Sequence, residues 1–163
     1  RVFLTPETPF ATEKSLEAIG NADLILMGPG SLFTSIIPNF LVDGISEAIK
    51  DSTARRVLIC NMMTQPGETD GYSVWDHAAR AGEYLGEGII EYVIANNEVI
   101  DEAALKPYAE DGARQIVPTD QDRRMLREQG ITLIENNFVE IKKGYIRHDA
   151  DRIASVAASL ICD

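Results

Sequence analysis

Short apolar runs separated by segments of helical spacing constrain this chain more than any other feature. The runs Val2–Leu4, Leu24–Met27, Val57–Cys60, Ile90–Ala95, Gln115–Val117 and Thr132–Ile134 are compact and rich in Val, Ile and Leu, as strands buried on both faces must be. Between them, Leu41, Ile45, Ala48 and Ile49 form one apolar stripe, and Val74, His77, Ala78, Ala81 and Leu85 form another, each at the period of a helix. This alternation specifies an α/β fold, a mostly parallel sheet covered by helices. Phe138–Ile141 is expected to add an edge piece.

Start and stop signals support these elements. Ser73-x-x-Asp76 and Thr119-x-x-Asp122 have the form of capping boxes with Asp in the third position, and Gly130 closes the second helix. Asp149 is expected to cap a final helix that buries Ile153, Val156, Ala157 and Leu160. Pro107 lacks an N–H and is expected to split Glu102–Glu110 into two short turns. Residues 1–163 contain no repeat, low-complexity linker or internal boundary, and read as a single α/β domain.

Charge and cysteine usage exclude several function classes. The net charge is -11; such a field repels phosphate backbones, so nucleic-acid binding is not expected, although one local anion site can survive it. Cys60 and Cys162 lie far apart and outside any C-x-x-C spacing. They read as free thiols of a reducing compartment, which sets aside zinc and a disulfide scaffold. No apolar run approaches the ~18 residues of a membrane span, and the N-terminus lacks the basic-then-apolar order of a signal peptide. The chain begins without Met, inside what reads as a strand, and is expected to be a piece of something longer.

In an open parallel sheet, ligands gather outside the carboxyl ends of the strands. Three loops occupy such positions. The first follows Leu24–Met27 and reads Gly28-Pro29-Gly30-Ser31-Leu32-Phe33-Thr34-Ser35. Glycine permits close approach, free N–H groups at the next helix start attract an anion, and Ser31, Thr34 and Ser35 carry hydroxyls that can donate to phosphate. Gly-Pro-Gly also makes an ordinary tight turn, and this is neither a P-loop nor a G-x-G-x-x-G fingerprint. The second follows Val57–Cys60 and runs from Asn61 to Tyr72. Asn61, Thr64, Gln65 and Thr69 offer amides and hydroxyls able to read a sugar or base edge, while Glu68 and Asp70 can hold a metal or a ribose hydroxyl. The alternative is a solvated loop whose acids face water. The third is Asn96-Asn97, where Asn either meets a ligand or turns the chain.

Other reactive residues read as structural. His77 lies on an apolar stripe near a helix start, which favours a packed, neutral imidazole. Arg147-His148 either reaches an anion or decorates the surface. Tyr72 and Trp75 stack on a base or pack their loop onto its helix. Cys60 has no basic neighbour in sequence to activate it, and no G-x-S-x-G elbow is present.

Residues 22–39, ADLILMGPGSLFTSIIPN, closely resemble the YvcK-type gluconeogenesis factors. Residues 60–69, CNMMTQPGET, do so as well, and so does Ile146-Arg147-His148-Asp149. These proteins are relatives of the CofD phospholactate transferases, and the resemblance covers essentially the whole chain in order. It implies a three-layer Rossmann-like fold with helices on both faces of the sheet, in a cytoplasmic bacterial protein. It also implies a role in gluconeogenic growth, cell-envelope homeostasis and cell shape, with binding of nucleotide sugars such as UDP-N-acetylglucosamine. Gly28, Pro29, Gly30, Ser31 and Thr34 are then expected to contact phosphate or sugar. Asn61, Thr64, Gln65, Gly67, Glu68 and Thr69 then form the facing wall, and Asn96 joins the candidate binding residues from its place at a strand end.

The resemblance also leaves an alternative, transfer of a phospholactyl group to a deazaflavin with magnesium assisted by Glu68, Asp70 or Asp23. A third reading is a module that binds only proteins. Family members begin with a glycine-rich N-terminal loop, so this chain is expected to be the C-terminal half. Its site is then incomplete and its sheet edge is open to pairing in a homodimer.

Overall fold

The computed structural model describes residues 2–5 and 9–161; Cys162 lies outside them. The elements, in order, are α1 (Glu13–Gly20), β1 (Leu24–Met27), one π-helical turn (Leu32–Ile36), α2 (Ile37–Phe40) and α3 (Ile45–Asp51). They continue with β2 (Arg55–Ile59), α4 (Val74–Leu85), β3 (Tyr92–Asn96), α5 (Glu102–Glu110), α6 (Asp120–Glu128) and β4 (Thr132–Asn136). The chain closes with β5 (Val139–Lys142), β6 (Tyr145–His148) and α7 (Ala150–Ser159). Strands β1 to β4 form one parallel sheet in sequential order, and β5 and β6 form a separate antiparallel hairpin.

Sequential order has a consequence for the layers. Right-handed crossovers between neighbouring parallel strands all place their helices on the same side of the sheet. Accordingly Met27, Leu58, Val93 and Ala95 pack on one face with Val74, Ala78 and Ala81 of α4, Ile37 of α2, Ile49 of α3 and Leu126 of α6. The opposite face, Val57, Ile59 and Ile94, is covered from the C-terminal side of β4 by Phe138 and by Ile153 of α7. The three-layer α/β expectation therefore holds, with helices on both faces.

Local signals act as expected at three helices. Ser73 and Thr119 each form a complete capping box with the Asp three residues on, and the Asp149 side chain accepts the Arg152 N–H at the start of α7.

Four expectations are corrected. Val2–Leu4 is not a strand: the Val2 N–H donates to the Tyr84 hydroxyl, and Phe3 is exposed. Gln115–Val117 does not join the sheet but runs antiparallel to the second loop, with a bridge between Gln115 and Met63. Helix α5 continues through Pro107; the carbonyl that proline leaves unpaired belongs to Ala103, an exposed residue open to water. Leu41 ends α2 instead of continuing into α3.

Candidate functional site

The first and second loops leave the carboxyl ends of adjacent strands, β1 and β2. Gly28 turns the chain at φ +96, where a Cβ would stand 3.1 Å from Ile36 Cδ1 and 3.2 Å from the Ile59 carbonyl oxygen. Its glycine identity is therefore demanded by the fold itself. Gly28-Pro29 is a cis peptide. At Gly30 a Cβ would meet Ser35 Cβ at 3.2 Å.

Beyond Gly30 the chain enters a wide turn in which Ile36 N–H donates to the Ser31 carbonyl and Ile37 N–H to that of Leu32. This opening turn leaves donors unused. Among the described residues, no acceptor receives the N–H of Gly30, Ser31, Leu32 or Phe33. The Thr34 N–H is engaged by Ser31 Oγ at 3.2 Å, and Thr34 and Ser35 are exposed.

The second loop is anchored. Thr64 N–H donates to the Arg114 carbonyl, Arg114 N–H returns to Thr64 Oγ1 at 2.8 Å, and Ile116 N–H donates to the Met62 carbonyl. Gln65 N–H donates to Thr69 Oγ1 at 2.8 Å, while Glu68 and Thr69 N–H both reach the Gln65 carbonyl. Gly67 N–H donates to Asp70 Oδ2 at 2.7 Å. The donors of this turn are thus satisfied internally, and Thr64 and Thr69 are buried parts of the anchor. Among the described residues Gln65 Oε1 is buried without a donor and the half-buried Glu68 has no ion-pair partner.

The two loops meet at one contact. Ser31 Oγ donates to Glu68 Oε2 at 2.7 Å, 37 positions away in sequence. Ser31 has a single hydroxyl proton, so the geometry directs it to Glu68, not to a phosphate. Asn61 is half-buried beside this junction in sequence, just past Cys60. Pro29 and Gly67 are exposed.

Asn96 ends β3 and is buried. Its Nδ2 donates to the Glu98 carbonyl at 2.8 Å, and its Oδ1 accepts from Phe138 N–H at 3.1 Å. Asn96 thereby ties the third loop to the segment entering β5. His148, half-buried, donates from Nε2 to the Cys60 carbonyl at 3.1 Å, which carries β6 to the carboxyl end of β2. Burial lowers its pKa, against the opposing pull of that carbonyl. Burial pushes the Cys60 thiol up, as does the nearby Asp122 charge, so this thiol is inert.

Sequence reasoning missed the second role of Asp122. Beyond its capping box it accepts the Trp75 N–H of α4 at 2.8 Å, a contact no local pattern encodes. Sequence reasoning also missed Arg114, whose backbone holds Thr64.

The acids do not assemble into a metal cage. Among the described residues no group of three or more His, Cys, Asp and Glu side chains could hold an ion. Asp70 is engaged by Gly67 N–H, and Asp23 stands before β1, at the far end of the strand from the loops. Asp23 is therefore removed from the candidate set.

An open parallel α/β domain with paired polar loops at the carboxyl ends of adjacent strands is the class this geometry defines. Residues 1–139 match the family model described as 2-phospho-L-lactate transferase CofD, and the chain belongs to that family. It is 39% identical over 163 residues to a putative gluconeogenesis factor of Clostridium acetobutylicum. It is 43% identical over 154 residues to the gluconeogenesis factor of Halalkalibacterium halodurans and 40% over 161 to that of Bacillus subtilis. It covers 100%, 94% and 99% of itself in these three alignments, and 36%, 47% and 50% of the relatives. The chain thus spans about half the length of the curated relatives it matches, or less. A crystal structure of a UPF0052 family member from Bacillus halodurans superposes with a TM-score of 0.90 at 41% identity, covering 95% of this chain and 49% of that one. Among the described residues no helix is long and apolar enough to cross a membrane.

Proposed function

We propose that this chain contributes a nucleotide-sugar site, of the UDP-N-acetylglucosamine kind, to a cytoplasmic bacterial regulator of carbon metabolism, cell envelope and cell shape. The observation that supports the reading is the Ser31–Glu68 contact, which joins the loop carrying four backbone donors unengaged among the described residues to the loop carrying the Glu68 carboxylate. Backbone N–H groups suit phosphate oxygens, and a carboxylate suits sugar hydroxyls. The names of the relatives, gluconeogenesis factors, support the regulatory part. Calorimetry of the intact protein with UDP-N-acetylglucosamine tests it; saturable binding is expected, and no heat at millimolar ligand contradicts it.

The family description favours a second reading, phospholactyl transfer to a deazaflavin acceptor. Product formation from those two substrates supports that reading; its absence under conditions where UDP-N-acetylglucosamine binds supports the first.

A further inference from the structure

The two walls of this site differ in chemistry. On the first loop the N–H groups of Gly30, Ser31, Leu32 and Phe33 are unengaged among the described residues. On the second loop the N–H groups of Gln65, Gly67, Glu68 and Thr69 are all engaged, while Gln65 Oε1 is a buried acceptor lacking a donor. One wall offers donors and the other presents the half-buried Glu68 carboxylate.

Charge sharpens the contrast. Residues 28–35 and 60–73 contain no Lys or Arg, and the Glu68 carboxylate makes no ion pair among the described residues. Among the described residues, the side chain that donates to it is Ser31, through Oγ. An anionic group brought against Glu68 meets a carboxylate that no ion pair neutralises among the described residues, whereas a neutral hydroxyl gains a charge-assisted hydrogen bond. The Ser31 hydroxyl holds the carboxylate in place and, with its proton directed at Glu68, adds no side-chain donor for phosphate.

We propose that Glu68 is the specificity-determining residue of this site, accepting a hydrogen bond from a sugar hydroxyl and penalising ligands that place a bare terminal phosphate beside it. This rests on the nucleotide-sugar reading above and adds to it a discrimination between a sugar diphosphate and the free diphosphate.

The test compares UDP-N-acetylglucosamine with UDP by calorimetry on the intact protein and its E68Q and S31A variants. The wild type binds the nucleotide sugar about tenfold or more tightly than UDP, the scale of one charge-assisted hydrogen bond. E68Q weakens binding of the nucleotide sugar and leaves UDP unchanged or tighter, so the ratio falls toward one. S31A, which keeps the charge but frees the side chain, lowers the ratio part of the way. Damage to the fold weakens both ligands together, so opposite movement separates specificity from stability. An E68Q ratio equal to that of the wild type, or parallel loss of both ligands, overturns the role of Glu68 while the site stands. Failure of the wild type to bind either ligand overturns the functional reading and this inference with it.

Discussion

Asp122 caps two helices with one carboxylate. Within α6 it completes the box with Thr119, whose N–H and Oγ1 donate to Oδ2 at 2.8 and 2.6 Å, and its Oδ1 accepts the Trp75 N–H from the first turn of α4. Burial would raise its pKa, but hydrogen bonds from Ser73, Thr119 and the Trp75 backbone outweigh that and hold it below the usual carboxylate range. Both helix starts lie at the carboxyl end of the sheet, so this acid steadies the scaffold of the candidate site.

D122A leaves those donors without an acceptor and is expected to cost about 2–4 kcal/mol in denaturant unfolding. Because the folded pKa is the lower one, the stabilisation is complete above the unfolded value of about 3.9 and is lost as pH falls through the folded one. The acid limb of the stability curve therefore flattens in D122N.

His77 supplies a second, separable pH dependence. Its Nδ1–H donates to the Ser73 carbonyl at 2.8 Å, Nε2 is buried without a partner among the described residues, and the ring meets Tyr72 edge to face. Burial lowers its pKa, opposed by the Ser73 carbonyl and the Asp76 charge. The folded state keeps this imidazole neutral while the unfolded chain takes up a proton, so stability declines as pH drops below about 6.5. H77N retains a donor for Ser73 without a titrating ring. Thermal unfolding from pH 7.5 to 5 is expected to show a shallower slope in that variant.

The anchored second loop makes a local prediction. Thr69 is fully buried and its Oγ1 receives the Gln65 N–H. T69V preserves shape but orphans that donor, and is expected to cost about 1–3 kcal/mol. Hydrogen exchange at Gln65 accelerates, while amides of β3 are unchanged.

G28A tests the origin of the first turn. With φ +96 and a Cβ placed 3.2 Å from the Ile59 carbonyl oxygen, the variant is expected to lose about 1–3 kcal/mol in chemical denaturation without any ligand present. Wild-type stability would assign that glycine to ligand approach instead.

The fold was legible where one local cause dominates. Ser73 and Thr119 announce their helices because a hydroxyl and an Asp three residues on satisfy the same two N–H groups wherever they occur. The runs at Leu24 and Thr132 are strands because successive apolar side chains reach both faces of the sheet, Ile25 and Leu133 packing on one core and Leu24 and Ile134 on the other. The segment at Gln115 has the same composition, yet its backbone partner is the second loop; composition does not name a partner. Hairpin strand β6 was missed, although Lys143 at φ 52 and Gly144 at φ 80 form the two-residue turn that joins it to β5. In the candidate site, the loops could be read from their place after strands. The Ser31–Glu68 contact could not, since it depends on how two distant loops lie across the sheet. Thr64, Thr69 and Asn96 look alike in sequence to ligand-reading residues, and only tertiary structure reveals that their polar atoms are engaged inside the fold.

The central claim is that the turn after Gly30 presents its backbone donors to a phosphate. Titrating 15N-labelled intact protein with UDP-N-acetylglucosamine, while following the amide resonances of Gly30, Ser31, Leu32 and Phe33, measures this directly. Saturable downfield movement of these four proton shifts, larger than that of the engaged amides of Gln65 and Gly67, is the predicted result. Binding that leaves the four resonances in place, or no binding at all, contradicts it.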